Sequence, residues 1–148
     1  MKRVAVGVFL ALTFATCGLA KTHSTFRAHV QANPRDGAAF STKLRLFGRD
    51  VTIEKVPTLS ENDVTALRTY RAADGTHGVL FELNEHGRLA LDSLSIERRG
   101  GSLFVFINGR PAAELQIDRR VSDGKIYIAS GLSANDIELL KKDWPARK

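Results

Sequence analysis

Short apolar runs at strand and helix periods, broken by glycine turns, predict an α+β domain: one antiparallel-rich sheet with two main helices packed on one face. Between residues 78 and 144 strand-like and helix-like periods alternate. Asn108-Gly109 and Asp123-Gly124 separate strand-like runs as turns. Two segments opened by Asn84 and Ser133 carry apolar residues at helical spacing.

Each element has its own signal. Residues 26–30 (FRAHV) read as a first strand, and Asn33-Pro34-Arg35-Asp36-Gly37 as a turn. Residues 40–47 and 51–56 alternate around a Gly48-Arg49-Asp50 turn and form a hairpin that Pro57 ends. Ser60-Glu61-Asn62-Asp63 has the Ser-x-x-acid form of a capped helical turn. Residues 67–72 and 79–83 flank Asp74-Gly75 as antiparallel strands, with Val79, Phe81 and Leu83 on one face. Asn84 caps a helix over 85–98. Its Gly87, Ala90 (or Leu91) and Leu94 should lie on the sheet, Gly87 allowing close backbone approach. Arg98 and Arg99 suit the negative helix end, and Gly100 supplies a left-handed stop.

The continuous apolar run over 102–107 predicts a central strand buried on both faces. Asn108-Gly109 fits a two-residue type I′ turn, where both positions need positive φ. Residues 112–117 form the return strand, and 125–129 a further strand after Asp123-Gly124. The last helix follows Ser133-Ala134-Asn135-Asp136, turns Ile137, Leu140 and Trp144 inward, and stops at Pro145. Lys141 and Lys142 complement its dipole.

The 148 residues suffice for one domain with a full core. The first twenty have the three parts of an export signal: Lys2 and Arg3, an uncharged stretch over 4–15, and Gly18-Leu19-Ala20 before Lys21. That stretch of about twelve residues is short for a bilayer core of roughly 30 Å. The expected division is a signal peptide over 1–20, a polar N-terminal segment over 21–41, and the α+β domain over 42–145. Cys17 is the only cysteine, and Phe14-Ala15-Thr16 before it match lipoprotein processing poorly. Simple export is therefore expected, to a periplasmic or secreted location, leaving a chain without thiols, disulfides or sulfur-bound zinc. Loss of Lys2 and Arg3 lowers the formal charge from +6 to +4, with 20 basic and 16 acidic side chains remaining. An excess of that size favours solubility and weak attraction to anions.

The candidates for chemistry are few. His23, His29, His77 and His86 lack the spacing of a metal-binding helix. Asp63 and Asp136 each stand third after a serine, where a carboxylate caps a helix. A Gly-x-Ser-x-Gly elbow is missing, and the glycine-containing loops Gly100-Gly101 and Asn108-Gly109-Arg110 do not lead from a strand into a helix as a phosphate cradle would. Catalytic, cofactor-binding and metal-binding residues are therefore expected to be absent. Arg98, Arg99, Arg110, Arg119 and Arg120 are the candidate anion contacts, without the interleaved aromatics that nucleic-acid binding uses.

The order of signals resembles the periplasmic head subdomain of the SecD and SecDF protein-translocation subunits over residues 50–144. The matching features are Leu83-Asn84-Glu85-His86-Gly87 after a strand, the apolar strand and glycine turn over 104–109, and Gly131-Leu132-Ser133-Ala134-Asn135-Asp136 before the last helix. Residues 55–64 (KVPTLSENDV) resemble the entry to that head. The resemblance implies the head's fold and an exported setting. It does not carry over translocase activity, because residues beyond the first twenty include no stretch of eighteen apolar residues. A non-enzymatic envelope domain that binds a protein or peptide, without cofactor or metal, is expected. The alternative is a binder of lipid headgroups, cell-wall polymer or nucleic acid through the arginines, nucleic acid being the least favoured. The exported protein should have an intact mass beginning at Lys21; a mass beginning at Met1, or a diacylglycerol adduct on Cys17, would overturn that processing.

Overall fold

The computed structural model describes residues 23–147. The expected signal over 1–20, with Cys17, lies outside the described residues. The elements in chain order are β1 (Phe26–Val30), β2 (Ser41–Leu46), β3 (Arg49–Glu54), β4 (Leu59–Ser60), a 3₁₀ turn (Glu61–Asp63), β5 (Val64–Arg71), β6 (His77–Leu83), α1 (Glu85–Glu97), β7 (Ser102–Ile107), β8 (Arg110–Gln116), β9 (Lys125–Leu132) and α2 (Ala134–Asp143).

The α+β class holds, with antiparallel strands and two helices. The expected single sheet is divided into three hydrogen-bonded parts: a four-stranded sheet in the order β4-β1-β7-β8, a three-stranded sheet β5-β6-β9, and the hairpin β2-β3. The break between β8 and β9 has a tertiary cause. The connecting chain turns towards α1, where the Val121 amide donates to Ser95 Oγ (2.9 Å) and Arg120 grips Asp92. A strand committed to the helix side cannot continue the ladder.

Strand β7 is the centre. It pairs with β1, Phe26 opposite Ile107 and Val30 opposite Leu103, and with β8, Ser102 opposite Gln116. Its side chains alternate between two cores. Leu103, Val105 and Ile107 enter the main core with Phe26, Val79, Phe81 and Ile128, where both helices contribute Leu91, Leu94, Ile137 and Leu140. Phe104 enters a smaller core with Leu46, Val51 and Ile53 of the hairpin. The Phe26 and Phe81 rings lie 4.7 Å apart, and Phe81 meets Trp144 edge-on at 6.4 Å.

Residues 21–41, expected ahead of the domain as a polar segment, contribute β1. Phe26 and Ala28 are fully enclosed and Val30 nearly so. The interleaved Arg27 and His29 make that strand look polar as a string. The hairpin turns one residue earlier than expected, at Phe47-Gly48 (φ 49° and 80°), so Arg49 and Asp50 belong to β3. Asn108 (φ 52°) and Gly109 (φ 75°) have the signs a type I′ turn requires, and Asn108 Oδ1 also accepts from the Thr25 amide at 2.9 Å. The Gly87 amide donates to Asn84 Oδ1 at 2.8 Å, as a helix cap should. A Cβ on Gly87 would lie 2.9 Å from Asp63 Cβ, so the expected close approach is real.

The chain finishes on the outer edge of β5. The Leu67 amide donates to the Pro145 carbonyl (3.2 Å) and the Arg147 amide to the Leu67 carbonyl (2.9 Å), adding a short parallel pairing. No helix among the described residues is long and apolar enough to cross a membrane.

Phe81 is fully buried and packs its ring on Phe26 of β1 and on Trp144 at the end of α2, so Phe81→Ala should lower unfolding free energy by about 3–5 kcal/mol. Urea denaturation measures it, and Phe40→Ala, at an exposed position, should change stability by less than about 0.5 kcal/mol.

Candidate functional site

A seam is left where the two larger sheets meet. Strand β8 bonds only to β7 and β9 only to β6, yet their outer edges run side by side. Each edge carries backbone N–H and C=O groups outside any ladder. At the end of the seam near Gln116 a cavity of about 290 Å³ opens between the edges, walled by Leu91 and Leu94 of α1, Leu103, Leu115, Ile117 and Ile126. Asp118, Arg119, Asp123 and Lys125 also line it and bring both signs of charge. At the other end a cavity of about 320 Å³ is lined by Pro111, Ala112, Gly131 and Leu132, and there Arg110 binds Asp136 across the seam.

A larger hollow, about 550 Å³, separates the hairpin from the four-stranded sheet. Its His29, Glu54 and Lys55 side chains are already engaged. His29 Nδ1 bonds the Glu54 carbonyl (2.8 Å) with its ring edge-on to Phe106, Glu54 holds Arg98 (2.5 Å), and Lys55 donates to the Ala38 carbonyl. The seam therefore offers more unsatisfied backbone than the hollow offers free side chains.

The five candidate arginines do not form one patch. Arg98 and Arg99 follow α1, and Arg119 and Arg120 follow β8, all near the Ser102–Gln116 end of the central pair. Arg110 stands at the opposite end of β8. Three of the five bind carboxylates of the chain: Arg98 with Glu54, Arg110 with Asp136, and Arg120 with Asp92 through two bonds of 2.6 and 2.8 Å. The Arg120 guanidinium holds the Asp92 carboxyl below its usual range against the opposing effect of burial. Arg99 and Arg119 are exposed.

Asp63 and Asp136 cap as expected, and each does a second task that spacing could not reveal. Asp63 Oδ2 accepts from the Ser60 amide at 2.8 Å, while Oδ1 meets His86 Nδ1 at 2.7 Å. The Ser60 hydroxyl lies 3.4 Å from the carboxylate. Serine and histidine thus share one carboxylate and are not aligned hydroxyl-to-imidazole as a nucleophile and base would be. Asp136 Oδ2 accepts from the Ser133 hydroxyl (2.7 Å) and amide (3.0 Å). Burial works against its ionisation, but the Ser133 bonds and Arg110 outweigh it and hold its carboxyl below the usual range. Both second partners lie more than twenty residues away in sequence, beyond any local signal. Among the described residues no three His, Cys, Asp or Glu side chains gather as a metal site.

No protein-family model and no curated protein sequence matches the chain. Solved structures do. One, described as a membrane component SecDF that enhances protein export, is 18% identical with a TM-score of 0.58, over 84% of this chain and 65% of that one. Another, SecDF in a super-membrane-facing form, is 14% identical with a TM-score of 0.59, over 83% of this chain and 19% of that one. The chain thus spans less than two thirds of either relative. At these identities the likeness is one of fold, and the SecD-like fold agrees with the resemblance seen in the sequence.

Asp136→Ala removes the carboxylate half of the α2 capping box and the partner of Arg110 together, and should cost about 1–2 kcal/mol at neutral pH. Because the folded carboxyl titrates below its unfolded value, this stabilisation is complete above the unfolded pKa and is lost as pH falls through the folded one. Urea curves from pH 7 downwards should show wild type and variant converging in acid.

Proposed function

We propose that the chain is a non-enzymatic exported domain that binds an extended polypeptide segment along the β8–β9 seam. The carrying observation is the pair of facing sheet edges, each unpaired on its outer side, over an apolar cavity. An extended segment gains main-chain hydrogen bonds from such an edge, while alternate side chains enter pockets beside it. A cavity of about 290 Å³ suits one or two large apolar side chains. Asp118, Asp123, Arg119 and Lys125 are placed to accept either charge beside it.

The fold likeness supports this reading, since one relative is described as enhancing protein export. Residues 1–20 as export signal and 42–145 as the head-like unit, with β1 supplied from upstream, belong to the same proposal. The arginine alternative rests on Arg99 and Arg119, the two of the five without a carboxylate among the described ion pairs.

A fluorescein-labelled extended peptide alternating leucine and threonine should bind the full chain and change its fluorescence anisotropy. Leu115→Lys, at the half-buried wall of the cavity, should weaken binding by about tenfold or more in a variant whose circular dichroism shows it still folded. Equal binding by the variant removes the seam as the site. Binding that follows heparin displacement and disappears in Arg99→Ala/Arg119→Ala would favour the anionic alternative.

A further inference from the structure

The turn of the β2–β3 hairpin breaks two rules in one residue. Phe47 has φ 49° at the first central position of a tight turn, where asparagine, aspartate or glycine is the natural occupant. An L-residue with an aromatic side chain is strained in this left-handed region. The usual excuse for an awkward backbone is a well-buried side chain, and Phe47 is 51% exposed. Neither the turn nor the core gains from phenylalanine here. Strain held at an exposed apolar position points to a contact made outside the chain.

The surroundings identify that contact. Lys43 and Arg45 lie on the solvent side of β2, exposed, while Leu46, one residue on, is buried in the small core. The Arg45 guanidinium reaches back to the Gly48 carbonyl at 3.5 Å, which sets its charge beside the Phe47 backbone. Residues 43–50 contain three cations, Lys43, Arg45 and Arg49, against one carboxylate, Asp50. Arg49 is turned to Glu114 of β8, and Asp50 is the cross-strand neighbour of Arg45. Nothing lies within 4 Å of the position a Gly48 Cβ would take, so the space beside the turn itself is open.

We propose that this tip is a membrane-contact site: the Phe47 ring enters the headgroup layer of an anionic bilayer while Lys43 and Arg45 bind its phosphates. A folded partner would need an interface of about 1,000 Å² or more, which one ring at a two-residue turn does not provide. A fluid interface closes around a single ring, and cations beside the ring add attraction to anionic lipid. The site is separate from the β8–β9 seam and from the five arginines, and does not depend on peptide binding.

The decisive variant is Phe47→Asn in the full chain, because a structural role and a membrane role predict opposite results. Relief of the strained turn should raise the melting temperature by a few degrees, roughly 3 °C. Co-sedimentation with phosphatidylglycerol/phosphatidylcholine vesicles should fall about tenfold or more. Lys43→Gln/Arg45→Gln should lower it by about 10- to 30-fold at low salt, with the difference from wild type closing at 1 M salt. Any contribution of the apolar stretch over 4–15 is common to all variants. The proposal is overturned if Phe47→Asn binds vesicles as wild type does, or if it melts lower. It is also overturned if the variant instead loses a concentration-dependent self-association seen without vesicles, which would assign the ring to a second copy of the chain.

Discussion

Everything in the molecule is arranged about a strand that is buried along almost its whole length. β7 has β1 and β8 as its neighbours in the sheet plane, the main core under Leu103, Val105 and Ile107, and the hairpin over Phe104. A strand so enclosed must satisfy its whole backbone from neighbouring strands, and β1 and β8 do that. This requirement explains why a distant N-terminal segment is recruited as β1. It also explains why the hairpin is no appendage: its Leu46, Val51 and Ile53 are buried together with Phe104, with Leu44 and Phe106 packed against them.

The same crowding produces the seam. β8 is tied to β7 along its inner side, and the chain after it is drawn to α1 by Val121 and Arg120. β9 belongs to β6. Two sheets that share one core therefore meet edge to edge without joining, and polar side chains bridge where backbone does not. Arg110 and Asp136 do so at one end, with a carboxylate already fixed by Ser133. The arrangement keeps the domain together while leaving main-chain hydrogen-bonding capacity at its surface, which is the physical requirement for recognising an extended chain regardless of its side chains.

Much of this was legible in the sequence wherever the determining interaction is local. Asn84, Ser133 and Asp136 cap their helices within three residues, and Asn108-Gly109 turns within two, so each leaves its mark in a short string. The apolar run of β7 likewise announces its own burial. β1 was readable as a strand but not as the core strand it is, because its burial depends on a partner more than seventy residues away. The hairpin turn was misplaced by one position because Phe47 is an improbable residue for positive φ. The division into three sheets, the seam, and the second partners of Asp63 and Asp136 are long-range facts with no local cause to read.

The tail over 145–147 closes one edge that would otherwise resemble the seam. Leu67 would present an amide and a carbonyl outward from β5, and the chain answers both with its own backbone. A bare outer strand is a template on which identical molecules stack. By occupying it at Leu67, residues 145–147 leave less of β5 for the strand of another molecule to pair with, and the unpaired sides of β8 and β9 remain where the two larger sheets meet.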